Sequence, residues 1–266
     1  MKIVYAFFMA AMIASSARGD DIPPDQSIIT LQGSANFGPI SGYLQTPAGG
    51  QPGTSSKHRP TLEELGIDEV WFYDTRLDLQ WHSLRLYGGY QFLRLDGSAT
   101  LAQPLISHGV SFAAGDGVTS HNQLDWARMG AGWKFDFLDQ RLEIVPQVEF
   151  ALFDFKYSLS DPLRSVTRDY VKGSARLGLE TVYHLTPFVS LSLNGGGALP
   201  LANMPQIASV SAAANFRLSP RSWRVKPKLF IGGGMEWIDY EDSQRLPNHI
   251  KADIGPFFTG GLGFAF

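Results

Sequence analysis

The sequence predicts an all-β protein, a closed antiparallel barrel of about ten strands in meander order. Three observations predict it. Apolar and polar residues alternate with a period of two through most of the chain, which is the pattern of strands with one greasy face. Beyond the N-terminal segment no run of about 18 apolar residues occurs, so helical membrane spans are excluded. The alternating segments are joined by connections that are alternately long and short, as a meander with two unlike ends requires.

Residues 1–19 read as a secretory signal. Lys2 precedes an apolar run over residues 3–14, and Ser15, Ser16, Ala17 and Gly19 supply the small residues of a cleavage region. Cleavage after Ala17 and after Gly19 are both consistent with those residues, and we take Gly19. Residues 20–266 then form one domain, the barrel. Loss of Lys2 and Arg18 takes the basic count from 22 to 20 against 25 acids, so the formal net charge moves from -3 to -5. No basic surplus points to nucleic acid. The chain has 0 cysteines, so an exported fold must be held without disulfides, and a closed hydrogen-bonded wall would do that.

Strand one is expected over residues 27–46. Its apolar Ile29, Leu31, Ala35 and Phe37 are odd, whereas Ile40, Gly42 and Leu44 are even, so a bulge is expected at Gly38-Pro39. The polar loop 47–66 contains Thr61 and Glu64 at capping-box spacing with Gly66 as a stop, which predicts one short helical turn. Strand two, residues 69–82, is the clearest. Trp71, Tyr73, Leu77, Leu79 and Trp81 share one face, and Asp74, Arg76, Asp78, Gln80 and His82 share the other. Ten steps at ~3.3 Å, tilted by about 40°, rise roughly 25 Å, the height of a lipid-facing band, and a tryptophan stands at each end of it.

Strand three, 84–95, carries Leu84, Leu86, Tyr90 and Phe92 on one face and changes phase at Leu93. After the loop 97–119, strand four (121–137) opposes Ala127, Met129, Ala131, Trp133, Phe135 and Phe137 to Arg128, Lys134 and Asp136. A tight turn at Leu138-Asp139-Gln140 leads to strand five (141–157), which sets Leu142, Ile144, Val148, Phe150 and Leu152 against Glu143, Gln147 and Glu149. Loop 158–168 follows. Strands six (169–185), seven (188–199), eight (207–218) and nine (223–240) repeat the alternation. Their polar faces carry Lys172, Arg176, Glu180, Arg217, Lys226, Lys228 and Glu236.

The last strand, 253–266, places Ile254, Phe258, Leu262, Phe264 and the terminal Phe266 at even positions, with Gly261, Gly263 and Ala265 between them. In this it resembles the closing strand of the small bacterial outer-membrane β-barrels. The resemblance implies a transmembrane barrel in the bacterial outer membrane, reached after export, with long loops outside and short turns in the periplasm. It further implies that Phe258, Leu262, Phe264 and Phe266 form the signal read by the barrel-assembly machinery. Outer-membrane lipid and lipopolysaccharide are the implied surroundings.

Two polar constellations are candidates for function. The first is the inward face: Asp74, Arg76, Asp78, Arg128, Lys134, Asp136, Glu143, Glu149, Lys172, Arg176, Glu180, Arg217, Lys226, Lys228 and Glu236. Its near-balance of signs favours a lumen crossed by ion pairs over an ion-selective pore, which usually carries one sign in excess. The second lies near the outer rim: His121 and Asp125, Asp161 and Asp169, then Asp239, Glu241, Asp242 and His249. As catalytic candidates His121, Asp125, Asp239 and His249 invite comparison with the omptin proteases, ten-stranded barrels with rim carboxylates and a histidine. Strand number and residue type are what the two share, without a common motif. The remaining His58, His82, His108 and His184 stand at no ligand spacing, so neither a metal nor a cofactor is expected. Three functions follow: a structural or surface-interaction barrel that conducts small solutes weakly, a rim hydrolase acting on lipid A or peptides, and a soluble lipocalin-like binder.

Overall fold

A computed structural model of the chain describes residues 29–219 and 224–266. The signal reading at residues 1–19, the lead at 20–26 and Trp223 as the start of strand nine lie outside them. In chain order the strands are β1 (Ile29–Gln45), β2 (Glu69–Trp81), β3 (Leu84–Thr100), β4 (Leu105–Ser107), β5 (Val110–Phe112), β6 (Gly117–Trp133) and β7 (Phe135–Phe137). They continue as β8 (Leu142–Ser160), β9 (Ser165–His184), β10 (Val189–Ala198), β11 (Gln206–Arg217), β12 (Lys226–Glu241) and β13 (His249–Ala265).

Ten of these build the wall. Each of the ten pairs antiparallel with its neighbours in chain order, β1 closes on β13, and β6 pairs with both β3 and β8, so the order of strands closes on itself. Strand β7 continues β6 along β8 past Lys134, while β4 and β5 form a hairpin inside the connection from β3 to β6. Closure satisfies the backbone groups that an open edge would leave exposed.

The two faces of the wall change character along each strand, and β8 shows it best. In the half nearer the short turns Val148, Phe150 and Leu152 point outward and are exposed, while Glu143, Gln147 and Glu149 point inward. In the half nearer the long loops the same period of two puts Phe153, Phe155, Tyr157 and Leu159 inside, buried, and Asp154, Lys156 and Ser158 outside. The other long strands of the wall repeat the exchange, except β9, whose inward residues in the loop-side half include Arg168 and Lys172. The fold therefore has a greasy-outside, polar-inside half joined to a polar-outside, greasy-inside half.

This exchange corrects three sequence expectations. Strand β3 does not change phase at Leu93: Leu93 and Leu95 are buried in line with Tyr87 and Gln91, and what changes is the chemistry of the interior. Strand β1 carries no bulge at Gly38-Pro39, because its ladder to β2 runs unbroken from Ile29↔Leu79 to Pro39↔Glu69. The extra residue lies opposite, in β13, where pairing with β1 shifts between Phe37 and Ile40 and pairing with β12 shifts between Gly234 and Glu236. Ile254 accordingly faces the interior, whereas Phe258, Leu262, Phe264 and Phe266 are exposed on the outside. A Cβ on Gly42 (φ 144) would lie 1.9 Å from the Lys251 carbonyl oxygen, so this stretch of the seam depends on glycine.

Strands β3, β6, β8, β9 and β13 also extend further toward the loops than expected. Their outer ends carry the inverted pattern, which reads as loop when the apolar face is assumed to point to lipid. As a result the connection from β8 to β9 is short, residues 161–164, rather than 158–168. The helical turn in the first loop is present as a 3-10 turn, Glu63–Leu65, ending at Gly66 with φ 75. Its capping box is formed in both directions: Thr61 N–H donates to Glu64 Oε2 at 2.9 Å, and Glu64 N–H donates to Thr61 Oγ1 at 3.1 Å.

Candidate functional site

The lumen holds two layers. The outer layer is a continuous apolar core in which wall residues Leu44, Phe72, Leu95, Trp126, Phe153 and Ile250 pack with Leu62 and Leu65 from the first loop and Leu101, Leu105 and Phe112 from the second. The loops are pinned to it. Ser107 Oγ stands 2.9 Å from Tyr157 Oη and 3.3 Å from Thr46 Oγ1. Arg164, at the tip of the β8–β9 hairpin, pairs with Asp116 of the second loop at 2.5 Å. The connection from β3 to β6, residues 101–116, thus helps close the outer mouth.

Beneath the apolar core lies the ionic layer. Arg85 spans Asp78 at 2.8 Å and Glu180 at 2.7 Å, and Arg76 pairs with the same two carboxylates at 2.9 and 3.4 Å. Arg128 pairs with Asp74 at 2.5 Å, and Arg176 pairs with Glu149 while its Nε donates to the Ile207 carbonyl at 3.0 Å. Gln91 donates to Glu236 at 2.7 Å. The boundary between layers is Trp126, whose ring lies 4.8 Å from the Arg128 guanidinium and 4.6 Å from that of Arg176. Gly130 makes room for Tyr87, since a Cβ there would sit 2.5 Å from its ring.

A cavity of about 230 Å³ remains in this layer. Asp74, Arg76, Arg128, Glu149, Arg176 and Glu236 line it on one side, and Ser192, Asn194, Ser209, Ser211 and Asn215 on the other. Its neutral wall belongs to β10 and β11, where glycine and serine replace the long charged side chains. Nearer the short turns, Glu143 pairs with His184 at 3.0 Å and Lys134 with Asp136 at 3.3 Å. Arg217, Lys226 and Lys228 lie on β11 and β12 toward the same end, and Lys172 lies at the opposite one. Arg85, Tyr87 and Trp126 were missed from the sequence. Arg85 alternates with Leu84 and Leu86 and was legible by parity, whereas inward aromatics look like lipid-facing ones.

The rim candidates do not form one site. His121 points outward and bonds Asp96 at 2.8 Å, both well exposed. Asp125 is fully buried at 0% exposure, held by the Tyr90 hydroxyl at 2.8 Å, the Leu93 N–H at 2.9 Å and the Arg94 guanidinium. Asp239 and His249 do meet, at 3.1 Å, with Arg59 and the Tyr43 hydroxyl each 3.1 Å from the imidazole. Asp161 closes its own turn: slight burial raises its pKa, but the Leu163 N–H and the Arg164 guanidinium outweigh this and hold the carboxyl below its ordinary value. Asp242 accepts from Asn248 Nδ2 at 2.6 Å. Asp161 and Asp242 are occupied in holding loops, and Asp125 in joining β6 to β3.

Outside, Trp71, Tyr73 and Trp237 mark one border of an exposed apolar band, and Trp81, Trp133, Phe137, Tyr183 and Phe188 mark the other. Leu86, Met129, Phe150, Leu177, Leu193 and Ile231 fill the space between. Such a continuous belt is far larger than the apolar patches of soluble monomers.

No protein-family model matches the sequence, and no curated protein sequence matches it. Among solved structures, the attachment invasion locus protein Ail of Yersinia pestis, in complex with the heparin analogue sucrose octasulfate, aligns with 89% of this chain and 99% of its own at 9% identity and TM-score 0.37. Neisserial surface protein A aligns with 90% of this chain and 98% of its own at 12% identity and TM-score 0.34. The translocator domain of the autotransporter NalP from Neisseria meningitidis aligns with 100% of this chain and 96% of its own at 9% identity and TM-score 0.40. The barrel architecture of this chain stands on its own closed ladder of strand pairs.

Proposed function

We propose that this protein is a bacterial outer-membrane β-barrel with a closed lumen, serving as a structural and surface-interaction protein. The observation that carries the reading is the exchange of faces along most of the long strands. An apolar belt bordered by aromatic rings suits a bilayer, and the polar-outside half beyond it suits water. The apolar core inside that outer half, backed by paired charges below, argues against a continuous aqueous path. In this reading lipid and lipopolysaccharide surround the belt, and the barrel-assembly machinery engages Phe258, Leu262, Phe264 and Phe266 during insertion. Replacing Phe266 with Ala should lower the folded yield in membranes, and an unchanged yield would remove that role.

Two measurements test the main reading. Fractionation should place the protein in the outer membrane with heat-modifiable migration on gels, and recovery in the soluble periplasm would overturn it in favour of a lipocalin-like binder. Purified protein in planar bilayers should be electrically silent, and stepwise conductance would show an open lumen. The hydrolase alternative keeps one specific observation, the contact between Asp239 and His249. Arg59 and Tyr43 crowd the same imidazole, which leaves it poorly placed to activate water. A lipid A or peptide hydrolysis that is lost in Asp239→Asn would restore that alternative.

A further inference from the structure

Strand β9 is 20 residues long and its neighbour β10 only 10. Their pairing runs from His184↔Ser190 up to Arg176↔Ala198 and ends there, while β8 follows β9 on its other side as far as Ser165. Next to the end of β10 the connection to β11 covers one more step: Leu199 N–H donates to the Ala175 carbonyl at 2.8 Å, and Ser174 Oγ donates to the Pro205 carbonyl at 2.7 Å. Above that point, residues 165–173 have no strand partner on this side among the described residues. In an antiparallel ladder alternate residues direct both N–H and C=O to the same side. Since Ala175 directs its carbonyl to the β10 side, Thr167, Asp169, Val171 and Gly173 direct theirs to the open edge.

The side chains beside this edge are also short of partners. Arg168 Nε and the Tyr170 hydroxyl are buried without a hydrogen-bond partner. Neither Arg168 nor Lys172 has a carboxylate within ion-pair distance among the described residues. Their contacts are with rings, Arg168 at 5.9 Å from Tyr170 and Lys172 at 5.8 Å from Tyr240. Across the gap the rim is held by Tyr170 against Tyr240, at 5.4 Å between ring centroids. On the outer face the cross-strand neighbours of Val171, Asp169 and Thr167 are Asp154, Lys156 and Ser158, so the edge lies beyond the apolar belt.

From the open edge together with the unpaired cations we infer that β9 is a docking site for an extended acidic peptide, which adds as a strand in the line where β10 would have continued. Main-chain hydrogen bonds to Thr167, Asp169 and Val171 supply the pairing. Carboxylates at alternate positions of the peptide face Arg168, Tyr170 and Lys172, where they accept from the orphaned guanidinium N–H and phenol and neutralise the ammonium. The inference deepens the surface-interaction reading, and because its test uses purified protein in detergent, its failure leaves the membrane assignment standing.

The experiment is fluorescence anisotropy of the full-length barrel with a labelled peptide of alternating Glu and Val. Binding is expected, with a drop of about tenfold or more when alternate peptide amides are N-methylated, because those N–H groups make the ladder. A peptide of alternating Lys and Val should not bind. In the protein, Val171→Pro removes an edge N–H without touching the β8 ladder and should weaken binding, as should Arg168→Ala combined with Lys172→Ala. Heat-modifiable migration of each variant verifies that the barrel has folded. Absence of binding would overturn the proposal. Binding indifferent to N-methylation and to Val171→Pro, and displaced by a sulfated saccharide, would do the same by reassigning the cations to a polyanion.

Discussion

Trp126 separates the two chemistries of the lumen, with apolar side chains on one side of its ring and two guanidinium groups in contact with it. Truncating a fully buried aromatic of this size leaves a void, so Trp126→Ala should cost about 3–5 kcal/mol, read as a lower midpoint in chemical unfolding. A surface-loop residue makes a gentler test. Burial raises the pKa of Glu64, but the Thr61 N–H and His58 outweigh this and hold it below the ordinary 4.5. A carboxyl whose folded-state value is depressed stabilises the fold above its unfolded value, and the contribution is lost as pH falls through the folded one. The protection of the Leu65 and Gly66 amides, measured against their intrinsic exchange rates, should therefore fall only below about pH 4.5, by a small factor because Glu64 is partly exposed. Glu64→Gln should lose that pH dependence. The capping box was legible because its partners lie three residues apart. The sequence could not place the buried partners of Asp125, which come from a neighbouring strand.

At the scale of the element, the decisive feature is the extra residue in β13. It lets Ile250, Ala252 and Ile254 enter the core above the break while Phe258, Leu262 and Phe264 stay outside below it. Deleting Gly255 removes the accommodation. A shift of one residue exchanges the two faces of a strand, so Lys251 and Asp253 would turn into the apolar core or Phe258 into the lumen. We expect the deletion variant to give no heat-modifiable folded band. The existence and order of the ten wall strands were legible from alternation, whereas the β4–β5 hairpin inside the second long connection was read as loop. The bulge was assigned to β1 because the apolar set changes parity there too, and parity alone does not tell a bulge from a change in what the interior contains.

For the whole molecule, closure of the lumen comes from wall and loops together. Leu62, Leu65, Leu101, Leu105 and Phe112 come from the loops, but Phe72, Trp126, Phe153, Phe155 and Ile250 come from the wall. Replacing residues 101–116 with a short Gly-Ser linker should therefore lower the unfolding midpoint yet leave planar bilayers silent. Open-channel steps in that variant would show that the loop alone shuts the barrel. The paired charges below are expected to resist opening as well, since Arg76 and Arg85 both hold Asp78 and Glu180. Breaking a buried pair by removing one partner is strongly destabilising, so these groups tie strands across the lumen instead of lining a path.

By itself the sequence determined the class of fold, the number and order of wall strands, the end at which the long loops gather and the outward set Phe258, Leu262, Phe264 and Phe266. These are local or periodic properties, written in residues two apart. Only the tertiary structure decided which face is inside at each height. Alternation records that two faces differ, whereas the sign of the difference depends on whether lipid, water or packed protein lies beyond the wall at that level. The free edge of β9 became visible for the same reason: it arises from the unequal lengths of two neighbouring strands, which no stretch of either one contains.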